Sequence, residues 1–372
     1  MKVAIVHPWF LEGGGGEKVV DILVDMYPNA DIFALSVDPA VLSARLRGRK
    51  ICTSNLNSFL SFRLRLLRPI YLIPFLPFAV ESIDVSKYDL VLSSCGPAVM
   101  GVNVNQDAVH ISYVYSPQRA WWDLYAERRA QIPWILRGLY ILGASFIRTW
   151  EFSAMQRVDH VISISNYIAH RVFKYFRRSS TVIYPPVDTS MGYIANQHDD
   201  YYLSVSRLDA GKRVDLLIHA CNQLKRRLLI VGIGREEKRL KAIAGPTIKF
   251  LGRVPDADLP GIYANCRAFL FSSDEDFGIA PVEAQAFGRP VIAYGRGGSL
   301  ETVRVGDAEG RSDTGVFFSE QTAESIIDGM RNFEAREDKF VPEEIQQHAR
   351  QFDTSVFVQQ FSKFVDSAME RK

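Results

Sequence analysis

The sequence predicts an α/β protein made of two doubly wound domains, each with a parallel sheet, that face one another across a cleft. Short apolar segments typical of strands alternate with segments of helical periodicity in the first half, and the alternation restarts near residue 202. With 372 residues, the chain exceeds the roughly 250–300 at which a single hydrophobic core stops growing. We therefore expect a first domain over residues 1–188 and a second domain from residue 189.

Composition and charge are those of an ordinary globular protein. The net charge is +2, but residues 1–190 hold 20 Lys/Arg against 15 Asp/Glu (+5), and residues 191–372 hold 24 against 27 (−3). This basic excess favours an anionic membrane surface or a phosphate-bearing acceptor as the partner, and we expect no nucleic-acid partner.

The four cysteines are widely scattered and form no C-x-x-C pair. Their positions therefore indicate neither a zinc site nor a disulfide framework, and they fit a reducing, cytoplasmic setting. The N-terminal apolar run is too short for a signal peptide.

The first elements predicted are a strand, a glycine loop and a helix. Lys2–Val6 has the pattern of a strand, and Glu17–Tyr27 has apolar residues at helical spacing. Gly13–Gly16 between them would let the main chain approach a ligand closely, and the helix start favours an anion or a hydroxyl-rich group. A flexible connection without a ligand is the alternative. The dinucleotide fingerprint is disfavoured, because His7 to Glu12 separate the strand from these glycines.

The rest of the first half continues the alternation. Ile132–Arg157 has a long apolar helical pattern broken by Gly138 and Gly143, which fits either a helix pair covering the sheet or a second membrane-facing element. The other predicted elements are strands at Asp31–Val37, Tyr88–Ser93, His110–Tyr115, Val158–Ser165 and Thr181–Tyr184, and a helix at Asn166–Phe176.

The segment Phe59–Val80 combines a basic cluster with apolar and aromatic residues. Arg63, Arg65 and Arg68 alternate with leucines and precede a short uncharged run that contains three prolines. That run is shorter than the about 20 residues that a helix needs to span a bilayer. Its composition suits a segment lying in the membrane interface, and a buried loop with solvated arginines is the alternative.

In the second half, four successive strands end in loops that contain glycine, a cation or a carboxylate. Because the carboxyl ends of parallel strands meet at one edge of a sheet, these loops are expected to lie side by side. The loops are Ser206–Arg213, Val231–Gly234, Gly252–Pro255 and Glu275–Glu283, after strands predicted at Tyr202–Val205, Leu228–Val231, Ile248–Leu251 and Ala268–Phe271. The intervening helices are predicted at Asp215–Leu224, Arg235–Ala244, Ala257–Asn265 and Pro281–Phe287, and a further strand at Val291–Ala293.

A nucleoside diphosphate lying across this edge fits these residue types. Arg207 and Lys212 would neutralise the diphosphate, together with main-chain amides near Gly278–Ala280 at a helix start. Glu283 would accept hydrogen bonds from ribose hydroxyls and Glu275 from a sugar hydroxyl. In the alternative interpretation, Glu283 only complements a helix dipole and Glu275 is a solvated loop residue.

Together these motifs resemble the retaining glycosyltransferases of family 4, which have the GT-B fold of two Rossmann-like domains. The resemblance covers almost the whole chain, and it is strongest to the mannosyltransferase-like members that build bacterial O-antigens and exopolysaccharides. The residues that carry it are the E-x7-E pair Glu275 and Glu283, Arg207 with Lys212, Gly14-Gly15-Gly16-Glu17, Gly295–Ser299 with Glu301-Thr302, Tyr27–Asp31 and Ile164–Tyr167.

This resemblance implies transfer of a hexose, with mannose favoured, from a nucleotide diphosphate sugar, with a GDP-sugar favoured. Transfer would retain the anomeric configuration, need no metal or other cofactor, and go to a lipid-linked or polysaccharide acceptor in cell-surface glycan synthesis. The first domain would bind the acceptor and be joined by a helix at about residues 354–372, residues 189–353 would bind the nucleotide sugar, and the protein would work in the cytoplasm at the inner face of the plasma membrane. The implied catalytic residues are Arg207, Lys212 and Glu275, and the implied substrate-binding residues are Gly14, Gly15, Gly16, Glu17, Tyr115, Gly232, Gly234, Phe277, Gly278, Ile279, Ala280 and Glu283.

One position departs from the family pattern. Such enzymes often have His-Thr-Pro where this chain has Tyr115-Ser116-Pro117. The Tyr115 hydroxyl can still donate a hydrogen bond. We interpret His110 at the other end of the strand as structural.

Two alternative functions remain. One is a UDP-sugar 2-epimerase, and the Phe59–Val80 segment argues against it. The other is a non-catalytic nucleotide-sugar-binding protein, and the intact charged residues argue against that.

Overall fold

The computed structural model describes residues 1–11, 14–53, 75–94, 98–306 and 311–370. Contacts along the chain divide it into two compact units. The first unit combines Met1–Tyr184 with Val358–Lys372, and the second is Pro185–Phe357. The first change of unit falls at Pro185, and the predicted domain boundary at residue 189 stays a prediction.

The first unit is built on a parallel sheet. Within its described residues, the strands are β1 (Val3–Phe10), β2 (Asp31–Val37), β3 (Ile51–Thr53), β4 (Leu90–Ser94), β5 (Val109–Val114), β6 (His160–Ser163) and β7 (Thr181–Val182). They pair in parallel in the order β3-β2-β1-β4-β5-β6-β7. The order of the strands reverses between β1 and β4, and in such sheets ligands bind at the carboxyl edge beside this reversal.

The helices of the first unit cover this sheet. They are α1 (Gly15–Met26), α2 (Leu76–Glu81), α3 (Tyr125–Gln131), α4 (Trp134–Gln156) and α5 (Asn166–Phe176). α1 packs through Val19, Val20 and Leu23, which recur at helical spacing and are buried.

The long helix α4 differs from the prediction of a pattern broken at Gly138 and Gly143. It runs without interruption through both glycines. Each glycine costs a helix about 1 kcal/mol relative to alanine. Burial of Tyr140, Ala144 and Ile147 along one side of α4 offsets that cost, because burying a large apolar side chain stabilises by about 1.5–3 kcal/mol.

The second unit also contains a doubly wound parallel sheet. Its described strands are β8 (Tyr202–Val205), β9 (Leu228–Val231), β10 (Ile248–Gly252), β11 (Ala268–Phe271), β12 (Val291–Tyr294) and β13 (Gly315–Phe318). Their order is β10-β9-β8-β11-β12-β13, and all pairs are parallel. The carboxyl ends of all these strands therefore meet at one edge, and the order reverses between β8 and β11.

Helices pack on both faces of this second sheet. They are α6 (Val214–Leu224), α7 (Glu237–Ile243), α8 (Leu259–Ala264), α9 (Ile279–Ala286), α10 (Ser299–Thr302), α11 (Ala323–Glu334) and α12 (Pro342–Ala349). One buried cluster joins Ile218 and Met330 to the sheet, and a second cluster on the other face contains Tyr263 and Phe269. The predicted α/β class with two doubly wound sheets is confirmed.

The last described helix, α13 (Thr354–Glu370), continues into the first unit. Its Phe361 ring packs edge-on against Tyr113 of β5 at a centroid distance of 6.0 Å, and Phe364 packs against His160 at 5.9 Å. α12 precedes α13 and is separated from it by a short turn at Arg350–Phe352.

Part of the predicted membrane segment lies outside the described residues. This applies to its positions 59–74, with Arg63, Arg65 and Arg68, and to Gly13 of the glycine loop. The remainder, Phe75–Val80, enters α2, where Phe75 and Phe78 are exposed. Within the described part of the chain, every helix is too short or too polar to cross a bilayer.

The long helix α4 contributes a buried carboxyl group to the first unit. Glu151 of α4 is buried, and its Oε2 accepts a hydrogen bond from Trp122 Nε1 at 2.7 Å. Burial raises the pKa of Glu151 to about 8, against the opposing effect of this hydrogen bond. The folded protein therefore binds a proton at Glu151 more tightly than the unfolded chain does. The contribution of this proton to the free energy of unfolding is fully present below the ordinary pKa of 4.5 and is lost as the pH rises through about 8.

We predict that Glu151→Gln, which keeps an acceptor for Trp122, removes this pH dependence. The variant should equal the natural protein near pH 5 and exceed its free energy of unfolding by about 3 kcal/mol near pH 8. Denaturant titrations followed by tryptophan fluorescence measure this directly, because all five tryptophans lie in the first unit. A constant difference between the two proteins from pH 5 to pH 8 would contradict the assignment.

Candidate active site

The loops that follow β8 and β11 place a cation and a carboxylate in direct contact. Lys212 Nζ donates a hydrogen bond to Glu275 Oε1 at 2.5 Å. The two side chains are 23% and 26% exposed, so the pair is largely withdrawn from solvent but still accessible at the sheet edge. The structure thus brings together two of the three predicted catalytic residues.

The third predicted catalytic residue, Arg207, has a different environment. Its side chain is 63% exposed, and its Nε lies 3.8 Å from Asp209 Oδ2. The two cations of this loop therefore contact different carboxylates of the protein. Their predicted contact with one diphosphate stays a prediction. Asp209 was not predicted as part of the site.

Hydroxyl and amide groups hold the main chain of Lys212 in place. Ser272 Oγ lies 2.9 Å from Lys212 O and 3.0 Å from Arg213 O, and Ser272 is buried. Gln321 Nε2 in turn donates to Ser272 O at 2.7 Å. These bonds join the loop after β8 to the start of the loop after β11. Sequence analysis missed Ser272 and Gln321, and neither lies in a motif that would have indicated such a role.

Gly232 and Gly234 bring the loop after β9 onto the loop that carries Arg207. Gly232 has φ +136°, and a Cβ atom there would lie 1.9 Å from Ser206 O. A Cβ atom at Gly234 would lie 2.4 Å from Leu208 O. Both glycines thus contact the protein's own main chain on either side of Arg207, and their predicted contact with substrate stays a prediction.

Helix α9 begins at Ile279, two residues before the predicted Pro281. Gly278 precedes it with φ +93°, a conformation that favours glycine. The N–H groups of Ile279 and Ala280 have no acceptor within the helix, and the helix end carries partial positive charge. These amides and the buried Phe277 therefore follow β11 at the carboxyl edge, where the sequence places phosphate binding.

Glu283, in the middle of α9, is positioned by a buried tyrosine. Tyr263 Oη donates to Glu283 Oε2 at 2.8 Å, and the Tyr263 ring stacks on Phe287 at a centroid distance of 5.6 Å and an angle of 2°. Burial, with the adjacent Glu283 charge, holds the pKa of Tyr263 well above its usual value. Tyr263 therefore remains a proton donor that fixes the orientation of the Glu283 carboxylate.

The motif Gly295–Ser299 supports the same stretch from the neighbouring strand. Gly298 N donates to Glu275 O at 2.8 Å. A Cβ atom at Gly298 would lie 2.2 Å from Phe277 Cα, and one at Gly297 would lie 2.4 Å from Glu275 O. The loop after β12 thus fits against Glu275 and Phe277 only because these positions have no side chains.

In the first unit, the glycine loop is held by the residue that departs from the family pattern. Tyr115 Oη lies 2.8 Å from Ser94 Oγ and donates to Gly16 O at 3.2 Å. A Cβ atom at Gly16 would lie 3.1 Å from the Tyr115 ring, so the contact is close. Tyr115 therefore contacts the glycine loop itself, and its predicted contact with a sugar stays a prediction.

The start of α1 includes the other predicted residues of this loop. Gly14 precedes the helix, Gly15 and Gly16 form its first turn, and Glu17 Oε1 accepts a hydrogen bond from Leu11 N at 3.2 Å. His7, in the middle of β1, also approaches Gly16, and its Nδ1 lies 2.8 Å from Ser94 O. Burial lowers the pKa of His7 to about 4, so its ring is neutral at neutral pH. Sequence analysis did not predict a role for His7.

The structure places His110 away from the glycine loop. Its ring Nε2 lies 2.9 Å from Ser93 Oγ, and its main-chain N donates to Asp159 Oδ2 at 2.8 Å. Burial lowers the pKa of His110 to about 4.

Among the described side chains, no three or more His, Cys, Asp or Glu residues lie close enough to one another to hold a metal ion. The expected metal independence stays a prediction.

We predict that Gly298→Ala destabilises the second unit by at least about 2 kcal/mol, because the added methyl group must displace the Phe277 main chain. Gly261→Ala in α8 is the matched control, since among the described residues no atom beyond its chain neighbours and its own helix backbone lies within 4 Å of the added Cβ. Calorimetric unfolding should show a lower transition temperature for the first variant only. Equal transition temperatures for the two variants would contradict the close approach.

Comparison with known proteins shows what this chain is similar to. Residues 192–352 match the family model described as glycosyl transferases group 1. The chain is 25% identical to the alpha-1,3/1,6-mannosyltransferase ALG2 of Saccharomyces cerevisiae, over 81% of this chain and 71% of that protein. It is 39% identical over 114 residues, 26% of this chain and 30% of the other, to the GDP-mannose-dependent monoacylated alpha-(1-6)-phosphatidylinositol monomannoside mannosyltransferase of Corynebacterium glutamicum.

Solved structures with low sequence identity share the whole architecture. Anabaena Alr3699/HepE, solved in complex with UDP, superposes with a TM-score of 0.72 at 17% identity, over 99% of this chain and all of that one. Sucrose-phosphate synthase from Thermosynechococcus elongatus superposes with a TM-score of 0.74 at 15% identity, over the full length of both. The two doubly wound sheets, the match over residues 192–352 and the relatives that transfer sugars lead to one conclusion: the chain is a glycosyltransferase with the GT-B fold.

Proposed function

We propose that this glycosyltransferase is a retaining mannosyltransferase that moves mannose from GDP-mannose to a lipid-linked saccharide in cell-surface glycan synthesis. It works without a metal cofactor, in the cytoplasm at the inner face of the plasma membrane. Residues 189–353 bind the donor, and the first unit, with its glycine loop, binds the acceptor.

The contact between Lys212 and Glu275 is the observation that carries this proposal. In this proposal a lysine stabilises the negative charge of the diphosphate, and a glutamate accepts a hydrogen bond from the sugar. These two side chains touch at 2.5 Å, beside the reversal of strand order where open α/β sheets bind ligands. Their contact supports a donor whose sugar–phosphate junction lies next to the pair.

In the proposed reaction, the bond between the sugar C1 and the phosphate oxygen breaks, and a bond from the acceptor oxygen to C1 forms on the same face. The proton of the acceptor hydroxyl passes to the departing phosphate. Lys212 and the first amides of α9 stabilise the negative charge that develops on the diphosphate. Glu275 holds Lys212 and orients the sugar, and Glu283, fixed by Tyr263, binds the ribose.

The choice of mannose and of GDP rests on the relatives. The yeast relative is a mannosyltransferase, and the relative from Corynebacterium glutamicum is described as GDP-mannose-dependent and acts on a phosphatidylinositol mannoside, which is a saccharide carried by a lipid. These activities favour a mannosyl donor and a lipid-borne acceptor. The UDP found with Alr3699/HepE makes UDP-sugars the competing donors.

A donor panel tests the proposal. Purified protein is incubated with GDP-mannose, GDP-fucose or UDP-glucose and with a saccharide-bearing lipid acceptor, and nucleotide release, product mass and product anomer are measured. We expect release and transfer with GDP-mannose, with retained configuration and no loss in EDTA. Transfer from UDP-glucose alone would overturn the choice of donor, and no response to any GDP- or UDP-sugar would overturn the proposal.

We predict that Lys212→Ala and Glu275→Gln each lower kcat/KM for transfer by tens-fold or more, as expected for loss of about 2–4 kcal/mol of charged contact. Lys241→Ala is the matched control, because Lys241 Nζ makes a similar ion pair with Glu237 at 2.7 Å, on exposed α7. That variant should retain full activity. Unchanged kcat/KM in both site variants would reject the assignment of this pair.

A further inference from the structure

Arg213 has a left-handed main-chain conformation directly before helix α6. Its φ is +50° and its ψ is +36°. Two other described residues that are not glycine, Arg177 and Lys225, also have positive φ, but each ends a helix, where this conformation is ordinary. The residue before a helix usually has an extended conformation instead. Arg213 is therefore strained, because its Cβ atom disfavours the left-handed region.

The strained residue directly follows Lys212. Lys212 is the last residue of a single 3₁₀ turn, Ala210–Lys212, and the chain changes direction at Arg213 before α6 begins. A change of Arg213 to a right-handed or extended conformation would rotate the main chain of Lys212 relative to α6. Lys212 would then move relative to Glu275, whose Oε1 its Nζ contacts at 2.5 Å. The direction of the Lys212 side chain thus depends on the conformation of Arg213.

The hydroxyl group of Ser272 contacts the peptide groups on both sides of Arg213. Ser272 Oγ lies 2.9 Å from Lys212 O and 3.0 Å from Arg213 O, so its one proton is shared between two carbonyl groups. The φ and ψ of Arg213 set the relative orientation of these two peptide planes. By bonding to both carbonyls, Ser272 opposes any rotation that would relieve the strain. Ser272 is 2% exposed, so water has little access to replace its hydroxyl.

Ser272 also belongs to the stretch that carries Glu275. It directly follows β11 and precedes Glu275 by three residues. Its own main chain is held in turn, because Gln321 Nε2 donates to Ser272 O at 2.7 Å. One residue therefore connects the turn that directs Lys212 with the loop that directs its partner carboxylate.

We propose that Ser272 is a positioning residue for sugar transfer. Its hydroxyl group holds Arg213 in the left-handed conformation and so keeps Lys212 beside Glu275 and the donor diphosphate. This inference rests on the proposed function, in which Lys212 stabilises the charge of the diphosphate. Ser272 acts through the main chain of Lys212 and not through contact with the substrate.

A rescue experiment tests this role. Ser272→Ala is made alone and in combination with Arg213→Gly or Arg213→Ala, and both Arg213 variants are also made alone. The two Arg213 changes remove the same charged side chain, but only glycine adopts positive φ without strain. Tyr201→Phe is the matched control for loss of a buried hydroxyl, since Tyr201 Oη donates to Ile262 O at 2.8 Å in the same unit. The kcat/KM for transfer from GDP-mannose to a saccharide-bearing lipid and the transition temperature of unfolding are measured for each protein.

We expect Ser272→Ala to lower kcat/KM about tenfold, because Lys212 is displaced, and Tyr201→Phe to retain full activity. Adding Arg213→Gly to Ser272→Ala should restore kcat/KM to within about threefold of Arg213→Gly alone, whereas adding Arg213→Ala should not. Full activity of Ser272→Ala would overturn the inference. Equal activity of the two double variants would overturn it as well, because the conformation of Arg213 would then have no part in the effect.

Two further measurements separate this inference from the proposed reaction. Without any substrate, Arg213→Gly should unfold at a higher temperature than Arg213→Ala, and the reverse order would overturn the strain at Arg213. Lys212→Ala, assayed alongside, tests the reaction itself. Full activity of Lys212→Ala would overturn the proposed site, whereas an impaired Lys212→Ala beside a fully active Ser272→Ala would overturn only the role of Ser272.

Discussion

The second unit depends on how closely its strand-end loops approach one another. Gly298 N bonds to Glu275 O, and Gly232 brings the loop after β9 against Ser206 O. A side chain at either glycine would push these main chains apart. Because Lys212 and Glu275 lie on loops fixed in this way, the contact between their side chains depends on the spacing of the main chain as much as on their charges.

Much of the fold was predictable because most of its strands and helices have a recognisable pattern within a short stretch of sequence. The bounds of β2, β8, β9, β11 and α5 are those expected from the sequence, since each is a compact apolar run or a clear helical pattern between turn residues. β3 and β13 were not predicted. β3 has only three residues, too few to establish a period, and β13 begins at a glycine, which weakens the strand pattern. The continuity of α4 was also missed, because burial of Tyr140 and Ala144 overrides the local effect of two glycines.

For the candidate site, the sequence predicted which loops lie together but not which side chains contact one another. Parallel strands bring their carboxyl ends together, so the sequence could place Arg207, Lys212 and Glu275 at one edge. It could not show that Lys212 pairs with Glu275, 63 residues away, or that Tyr263 orients Glu283, since these contacts depend on tertiary structure. Tyr115 illustrates the same limit, because its hydroxyl contacts Gly16 O, 99 residues away in sequence.

The division of the chain has a consequence for synthesis. The first unit combines Met1–Tyr184 with Val358–Lys372, whereas the second unit is one continuous stretch. During translation, Pro185–Phe357 leaves the ribosome before the part of α13 that packs against Tyr113. The second unit can therefore complete its fold while the first still has an uncovered apolar surface that chaperones or other nascent chains can bind. The first unit to be translated is thus the last to be finished.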